Sequence, residues 1–248
     1  MTQQETWETN AAASNTVLAE LLRPERGLQR VTDHVLSALP ADDPGDGAYD
    51  RRAATYDRLV GSRLYNRLVW GSSPRAYAAF AQRAVRAGEG PLLDVACGSA
   101  VFTASIYGES ARPVVLADRS KGMLQRAAQR LERSEHPSPV LLQADLFDLP
   151  FVPASFTTVA CHGALHLFED LAGALGALRA QLAPQGTLYA TSLVAETTIG
   201  RRWLALLHRA GEVAAPRRAM ELLAAAQAEL SDVTLHREGS MVFITARA

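Results

Sequence analysis

The sequence has almost no lysine, only two cysteines and no long apolar run. Lys121 is the only lysine among 25 basic residues, and 26 acidic residues bring the net charge of the 248-residue chain to −1. A chain with this charge balance lacks the broad positive field that binding to a phosphate backbone needs, so we expect no nucleic-acid partner. No stretch approaches the roughly 20 apolar residues of a membrane helix, and the N-terminus lacks the pattern of a signal peptide.

The scarcity of cysteine also bears on chemistry and location. Cys97 and Cys161 are too few for a disulfide framework, so we expect a reduced, cytoplasmic compartment. They have no matching cysteine or histidine pair at ligand spacing, so we expect small buried side chains and no metal site. Composition as a whole favours a soluble α/β protein.

Residues 1–47 differ in pattern from the rest, and we interpret them as an N-terminal helical arm and linker. Apolar residues at helical spacing form two stripes, one over residues 17–22 and one over residues 28–39, with Pro24 between them. Proline, glycine and aspartate are concentrated over residues 40–47, which indicates a linker. An amphipathic arm of this kind is a candidate contact for a homodimer.

From residue 91 onward, short apolar runs alternate with helical patterns. We predict strands over residues 91–96, 113–118, 140–145, 155–161 and 186–193. Strands that alternate with helices of this length form a parallel, doubly wound sheet. Residues 233–246 contain two strands joined by a Glu-Gly-Ser turn. The predicted fold class is α/β: a doubly wound Rossmann-like sheet, mostly parallel, with a C-terminal antiparallel hairpin and an N-terminal helical extension.

Acidic side chains lie at the ends of three successive predicted strands. Asp94 precedes a loop of small residues, 97–100, which allows a ligand to approach the backbone closely. Asp118 occupies the position that binds ribose hydroxyls in nucleotide-binding α/β folds, and Asp145 is placed to accept a hydrogen bond from an adenine amino group. The pattern predicts a nucleotide-type site. A nicotinamide-dependent oxidoreductase shares it, but normally has a fuller glycine triplet.

With these residues in place, the chain resembles the class I S-adenosylmethionine-dependent methyltransferases, in particular the methyltransferase 11 type that acts on quinone precursors and other small molecules. The resemblance rests on the segments 92–100, 116–124, 143–151, 155–161 and 182–188, preceded by Tyr-Asp pairs at residues 49–50 and 56–57. It implies one methyltransferase domain over residues 48–248, in which residues 194–231 form a helical lid over the acceptor.

The resemblance implies S-adenosylmethionine as the cofactor and a set of residues that contact it. These are Tyr56, Asp94, Ala96, Gly98, Asp118, Arg119, Met123, Asp145, Leu146 and Cys161. In such an arrangement Asp94 and the backbone of Ala96 and Gly98 face the methionine part. The Cys161 carbonyl meets the methionine amine, and Asp118 binds the ribose.

The adenine is implied to lie between Arg119 and Met123, with its edge against the Asp145 carboxylate and the Leu146 backbone. The chain departs from the family at Ala100, where a third glycine is common. Its methyl group is a small intrusion, which we expect the cofactor to tolerate.

Methyl transfer from a sulfonium is an in-line displacement, which needs a base only when the acceptor loses a proton. His162 follows the fourth of the strands predicted above, where the methyl group and acceptor of the family meet, and we predict it as the catalytic base. The alternative is that His162 only lines the pocket. His166 is interpreted as a cap of the helix that follows.

We therefore expect an enzyme that methylates oxygen or carbon of a small organic acceptor, a quinone-like compound or a secondary metabolite. Two alternatives stay open. The fold can use bound S-adenosylmethionine without methyl transfer, for cyclisation or elimination, or it can serve as a degenerate, non-catalytic partner subunit.

Overall fold

The structure, a computed structural model, describes residues 16–47, 66–132 and 139–248. Its strands are β1 (Gln29–Arg30), β2 (Val35–Ser37), β3 (Leu92–Val95), β4 (Val114–Asp118), β5 (Val140–Gln143), β6 (Phe156–Cys161), β7 (Leu182–Leu193), β8 (Ser231–Glu238) and β9 (Met241–Arg247). Its α-helices include α1 (Pro74–Arg86), α2 (Ala104–Gly108), α3 (Lys121–Leu131), α4 (Leu171–Gln181), α5 (Thr198–Arg209) and α6 (Ala219–Glu229). Shorter helical pieces lie at residues 16–21, Asn66–Trp70, Leu146–Asp148 and Leu165–Leu167.

These strands form one sheet in the order β1-β2-β5-β4-β3-β6-β7-β9-β8. The neighbours from β2 across to β7 pair in parallel, whereas β9 pairs antiparallel with both β7 and β8. The predicted α/β sheet, mostly parallel with a C-terminal antiparallel hairpin, is therefore confirmed. Because β4 and β6 flank β3, the connections diverge there, and the crevice at such a switch point is where ligands bind in open α/β sheets.

The central strands are buried on both faces. Successive side chains of a strand point to opposite faces, so Leu92 and Leu116 pack in the cluster formed with α2 and α3, and Leu93 and Val115 in the cluster formed with α4 and α6. All four are at most 3% exposed. This two-sided burial explains why the sequence shows continuous apolar runs rather than alternation.

Two serine caps start the helices nearest the switch point. Ser73 Oγ accepts a hydrogen bond from the Ala76 amide, with Pro74 in the first turn of α1. Ser120 Oγ accepts one from the Met123 amide at the start of α3. The caps fix where α1 and α3 begin relative to the strand ends.

Residues 28–39 form strands β1 and β2, so the helix predicted for them is wrong. The chain reverses between the two strands, where Thr32 Oγ1 accepts a hydrogen bond from the Val35 amide at 3.1 Å. Beyond the turn, β2 pairs with β5, and the Ala38 amide donates to the Gln143 carbonyl at 2.9 Å. The spacing resembled a helix, but the edge of β5 offers backbone hydrogen bonds and burial, and this tertiary pairing overrides the local pattern.

The first stripe of the arm is helical as predicted over residues 16–21, with Leu18 and Leu21 buried in the main core. The division between an arm of residues 1–47 and a domain of residues 48–248 stays a prediction. Tyr56 and both Tyr-Asp pairs lie outside the described residues. Among the helices that the structure describes, none is long and apolar enough to cross a membrane.

Because β2 belongs to the sheet, a cavity under it should destabilise the whole domain. Val35 is 0% exposed, so Val35→Ala is expected to lower the free energy of unfolding by about 2 kcal/mol. Urea denaturation followed by circular dichroism measures this. The matched control is Val31→Ala, since Val31 is 36% exposed. Equal stability of the two variants would contradict the packing of the arm into the sheet.

Candidate functional site

A cavity of about 470 Å³ opens at the carboxyl ends of β3, β4, β5 and β6. This volume is within the range of about 300–1,000 Å³ of ligand pockets. We call one part the acidic end, lined by Asp46, Asp118, Arg119 and Asp145, and the other the aromatic end, lined by Trp70, Tyr77, Phe102, His162 and Phe243. The cavity joins a polar and a largely apolar compartment at the switch point of the sheet.

The loop after β3 lines the cavity with an unusual backbone conformation. Ala96, Gly98 and Ala100 all have left-handed backbone conformations, with φ values of 55°, 56° and 50°. An alanine in this region costs about 1 kcal/mol relative to its ordinary conformations, so the loop retains strain where it borders the cavity. A Cβ at Gly98 would meet no atom within 4 Å, which leaves space for a ligand against the backbone.

Asp118, at the end of β4, holds that loop in place. Its Oδ2 accepts a hydrogen bond from the Gly98 amide at 2.7 Å, and its Oδ1 accepts one from the Ser120 amide at 2.8 Å. Asp118 also lines the cavity, so its carboxylate lies next to any molecule bound there. Met123, which is 2% exposed, lines the cavity nearby on α3.

Arg119 and Asp145 form the outer part of the acidic end. Arg119 Nη1 donates to Asp145 Oδ2, and Asp145 Oδ1 accepts from the Phe147 amide at 2.9 Å. The second bond starts the 3₁₀ turn Leu146–Asp148 directly after Asp145. Leu146 lines the cavity beside it, so the structure brings together both residues that were predicted for the adenine edge.

Asp94 and Cys161 lie behind the cavity wall rather than among its lining residues. Asp94 is 1% exposed and accepts a hydrogen bond from the Tyr107 hydroxyl at 2.9 Å. Burial raises the pKa of Asp94 to about 7, against the lowering effect of this hydrogen bond. Burial also raises the pKa of the Cys161 thiol, which makes that thiol unreactive.

His162 lies at the aromatic end, directly after β6. Its ring packs against Tyr77 and Phe80, with centroid separations of 5.6 and 5.7 Å. The residue is 7% exposed, and neither ring nitrogen has a hydrogen-bond partner among the residues that the structure describes. Burial lowers the pKa of His162 to about 4, so the imidazole is neutral at pH 7. A buried ring with unpaired nitrogens at a cavity wall suits contact with a bound molecule.

His166 has a structural contact instead. Its Nδ1 accepts a hydrogen bond from the Leu193 amide at 3.4 Å, which joins the turn Leu165–Leu167 to the end of β7. Burial lowers its pKa to about 4 as well. This contact favours a role in packing over a role in chemistry.

Most residues of the aromatic end were not among the predicted site residues. Tyr77, Phe102, Met241 and Phe243 line the cavity from α1, the loop after β3 and β9, and Tyr77 and Phe102 pack with ring centroids 5.1 Å apart. Segments this far apart in the chain meet only through tertiary packing. The one available signal was the spacing of Tyr77 and Phe80, which places them on one face of α1.

The predicted lid contributes to the cavity lining just after α5. On α5, Leu204 is 1% exposed and packs in the same cluster as Trp70. Gly211 and Glu212, which follow this helix, line the cavity. The assignment of residues 194–231 as a helical lid over the acceptor stays a prediction.

Comparison with known proteins shows similarity to methyltransferases over the middle of the chain. Residues 93–190 match the family model described as a methyltransferase domain. A chloroplastic methyltransferase of Arabidopsis thaliana, itself uncharacterized, is 30% identical over 110 residues, or 42% of this chain. The aligned segment spans only 28–31% of the length of the curated relatives it matches.

Solved structures agree at the level of the fold. Phosphoethanolamine N-methyltransferase 2 of Haemonchus contortus, in complex with S-adenosyl-L-methionine, has a TM-score of 0.64 at 12% identity, covering 86% of this chain and 62% of that one. The (4+2)-cyclase SpnF has a TM-score of 0.63 at 17% identity, covering 81% of this chain and 93% of that one. Residues 93–190 therefore match a methyltransferase domain, and the fold is similar to that of class I S-adenosylmethionine-dependent methyltransferases.

The burial of His162 has a direct spectroscopic consequence. Because its pKa is lowered to about 4, we expect its ring ¹⁵N shifts to stay at neutral-imidazole values from about pH 8 down to about pH 5.5. A long-range ¹H–¹⁵N NMR titration, assigned with a His162→Gln variant, measures this. A His162 titration centred near 6.5, the ordinary histidine value, would contradict the desolvated ring described here.

Proposed function

We propose that this chain is an S-adenosylmethionine-dependent methyltransferase that methylates oxygen or carbon of a small organic acceptor. The observation that carries the proposal is a single cavity whose acidic end suits an adenosine and whose aromatic end suits an apolar acceptor. The left-handed loop over residues 96–100 lines the same cavity, and the methyl group would pass along it toward the acceptor. His162 lines the aromatic end.

The residues of the acidic end fit an adenosine. Asp118, which lines the cavity, would accept hydrogen bonds from the ribose hydroxyls. The Asp145 carboxylate and the Leu146 backbone would bind the adenine edge, with Met123 below the ring and Arg119 beside it. All five residues line the cavity.

The methionine part of the cofactor would have fewer side-chain contacts than the adenosine part. The open backbone at Ala96 and Gly98 leaves room for it. Asp94 is buried just before this loop and lies outside the cavity lining. The role proposed for Cys161 is limited to its carbonyl. The contact proposed for Tyr56 rests on the sequence resemblance alone.

The charge of the acidic end disfavours a nicotinamide dinucleotide. Asp46, Asp118 and Asp145 line it, and the Arg119 guanidinium is already paired with two carboxylates. A pyrophosphate would meet a negative potential there, whereas S-adenosylmethionine carries a sulfonium and an ammonium group.

When bound, S-adenosylmethionine supplies an electrophilic methyl group. The aromatic end would remove water from the acceptor and hold it in line with that group. The neutral His162 imidazole would accept a hydrogen bond from an acceptor hydroxyl and take its proton as the new bond forms. A base with a pKa of about 4 suits a phenolic hydroxyl, whose pKa is near 10, better than an alcohol.

A second candidate function is cyclisation or elimination with the cofactor bound but not consumed. The similarity of the fold to SpnF, a cyclase, favours it. Release of S-adenosylhomocysteine in the presence of phenolic and enolic test acceptors separates the two. Binding of the cofactor without any turnover over a broad acceptor panel would favour the second candidate.

The remaining expectations are part of the proposal and stay predictions. The net charge of −1 supports a small-molecule acceptor over a nucleic acid. A role in secondary metabolism, a cytoplasmic location and a homodimer formed through the N-terminal arm also stay predictions.

Asp118→Ala tests the cofactor assignment. It removes the proposed ribose ligand and the acceptor of the Gly98 amide bond, so we expect S-adenosylhomocysteine affinity to fall about 100-fold or more, since two charged hydrogen bonds of about 1.5 kcal/mol or more are lost. Isothermal titration calorimetry measures the dissociation constant. The control is Asp33→Ala, a change at an exposed carboxylate of the arm. Near-native binding by Asp118→Ala would show that the adenosine lies elsewhere.

His162→Ala tests the acceptor side. We expect turnover to fall about 100-fold, the lower range for loss of a general base, while the dissociation constant for S-adenosylhomocysteine changes less than about two-fold. His34→Ala, at an exposed position of the arm, is the control. If turnover is unchanged in His162→Ala, the side chain only lines the pocket.

A further inference from the structure

Arg119 connects the N-terminal arm to the acidic end of the cavity. Its Nη2 donates to both carboxylate oxygens of Asp43 at 3.0 Å, and its Nη1 donates to Asp145. Asp43 precedes Arg119 by 76 residues and lies outside the matched segment 93–190. The Arg119 guanidinium therefore bridges two carboxylates. One is Asp43 of the arm, and the other is Asp145, the residue proposed to bind adenine.

The turn that carries Asp43 is fitted closely against this part of the domain. The Gly45 amide donates to Asp43 Oδ1 at 2.8 Å, and Gly45 has a φ of +69°. A Cβ at Gly45 would lie 2.8 Å from the Arg119 carbonyl oxygen and would overlap the Gln143 side chain. Asp46, directly after Gly45, lines the cavity. The turn therefore contacts the acidic end both through Arg119 and directly.

The arm also contacts the loop after β5 at the far end of the 3₁₀ turn Leu146–Asp148. Arg23 and Arg26 both pair with Asp148, the last residue of the 3₁₀ turn that Asp145 starts. The Arg23 amide donates to the Pro150 carbonyl at 2.9 Å, and Arg23 Nη2 donates to the Leu149 carbonyl at 2.7 Å. The loop that follows β5 is therefore fixed by the arm at both of its ends.

We propose that the arm completes the cofactor site, with Asp43 as a positioning residue that acts through Arg119 on Asp145. This inference rests on the proposed function, because it assigns Asp145 to the adenine amino group. Asp43 and Arg119 keep the Asp145 carboxylate in one orientation before the cofactor binds. A side chain that is ordered in advance loses less conformational entropy on binding, so adenine affinity depends on a residue of the arm.

Asp43→Asn is the variant that tests this, because it removes the charge and keeps the size of the side chain. The side chains of Arg119 and Asp43 are 40% and 23% exposed, so the pair is partly screened, and we expect about five-fold weaker binding of S-adenosylhomocysteine. Asp42→Asn is the matched control, since Asp42 is the exposed neighbour in the same turn. Asp43→Glu, which keeps the charge, is expected to retain most of the affinity.

The readout is selectivity for adenine, which a purely structural role would not change. Calorimetry on the full chain compares S-adenosylhomocysteine with S-inosylhomocysteine, in which a carbonyl replaces the adenine amino group. The proposal predicts that Asp43→Asn weakens the first ligand about five-fold and leaves the second unchanged, so that selectivity narrows. Thermal denaturation of each variant is recorded alongside.

The other outcomes overturn the proposal. Asp43→Asn binding like Asp42→Asn would show that Asp43 has no influence on the site. Equal weakening of both ligands, or weakening that follows a loss of thermal stability, would assign Asp43 to folding alone. If the unaltered chain binds neither ligand, the proposed function is wrong and this inference is wrong with it. If the unaltered chain binds S-adenosylhomocysteine but Asp43→Asn does not change selectivity, only the role of Asp43 is wrong.

Discussion

The hydrogen bond from the Gly98 amide to the Asp118 carboxylate, 2.7 Å long, is the contact on which the site depends. It joins the loop after β3 to the end of β4, at the switch point of the sheet. The same loop keeps Ala96 and Ala100 in left-handed conformations, which alanine does not favour. The surrounding structure has to hold them there, and the bond to Asp118 does so while leaving the carboxylate facing the cavity.

Charge is distributed unevenly along the cavity, and burial accounts for the difference. At the acidic end, Asp118 and Asp145 accept hydrogen bonds from backbone amides, and Asp145 also accepts one from Arg119. At the aromatic end, His162 has no such partner among the described residues, and burial keeps it neutral. The acidic end therefore offers hydrogen-bond acceptors, and the aromatic end offers an apolar surface beside a neutral imidazole.

The strands and the acidic end could be predicted because local signals determine them. Runs buried on both faces mark the parallel strands, and Asp118 and Asp145 stand at strand ends whatever packs around them. The strand at Val35 was not predictable from its spacing, because it forms only when the edge of β5 is present. The positions of Tyr77 and Asp43 in the site likewise depend on tertiary contacts, α1 over the cavity and the arm against Arg119, that no local pattern encodes.

A crystal structure of the chain with S-adenosylhomocysteine is the most direct test of the division of the cavity into two ends. It should show the adenine amino group hydrogen-bonded to Asp145, the ribose hydroxyls bonded to Asp118, and the sulfur directed toward the aromatic end beside His162. A ligand bound in the opposite direction, or outside this cavity, would contradict the assignment of both ends.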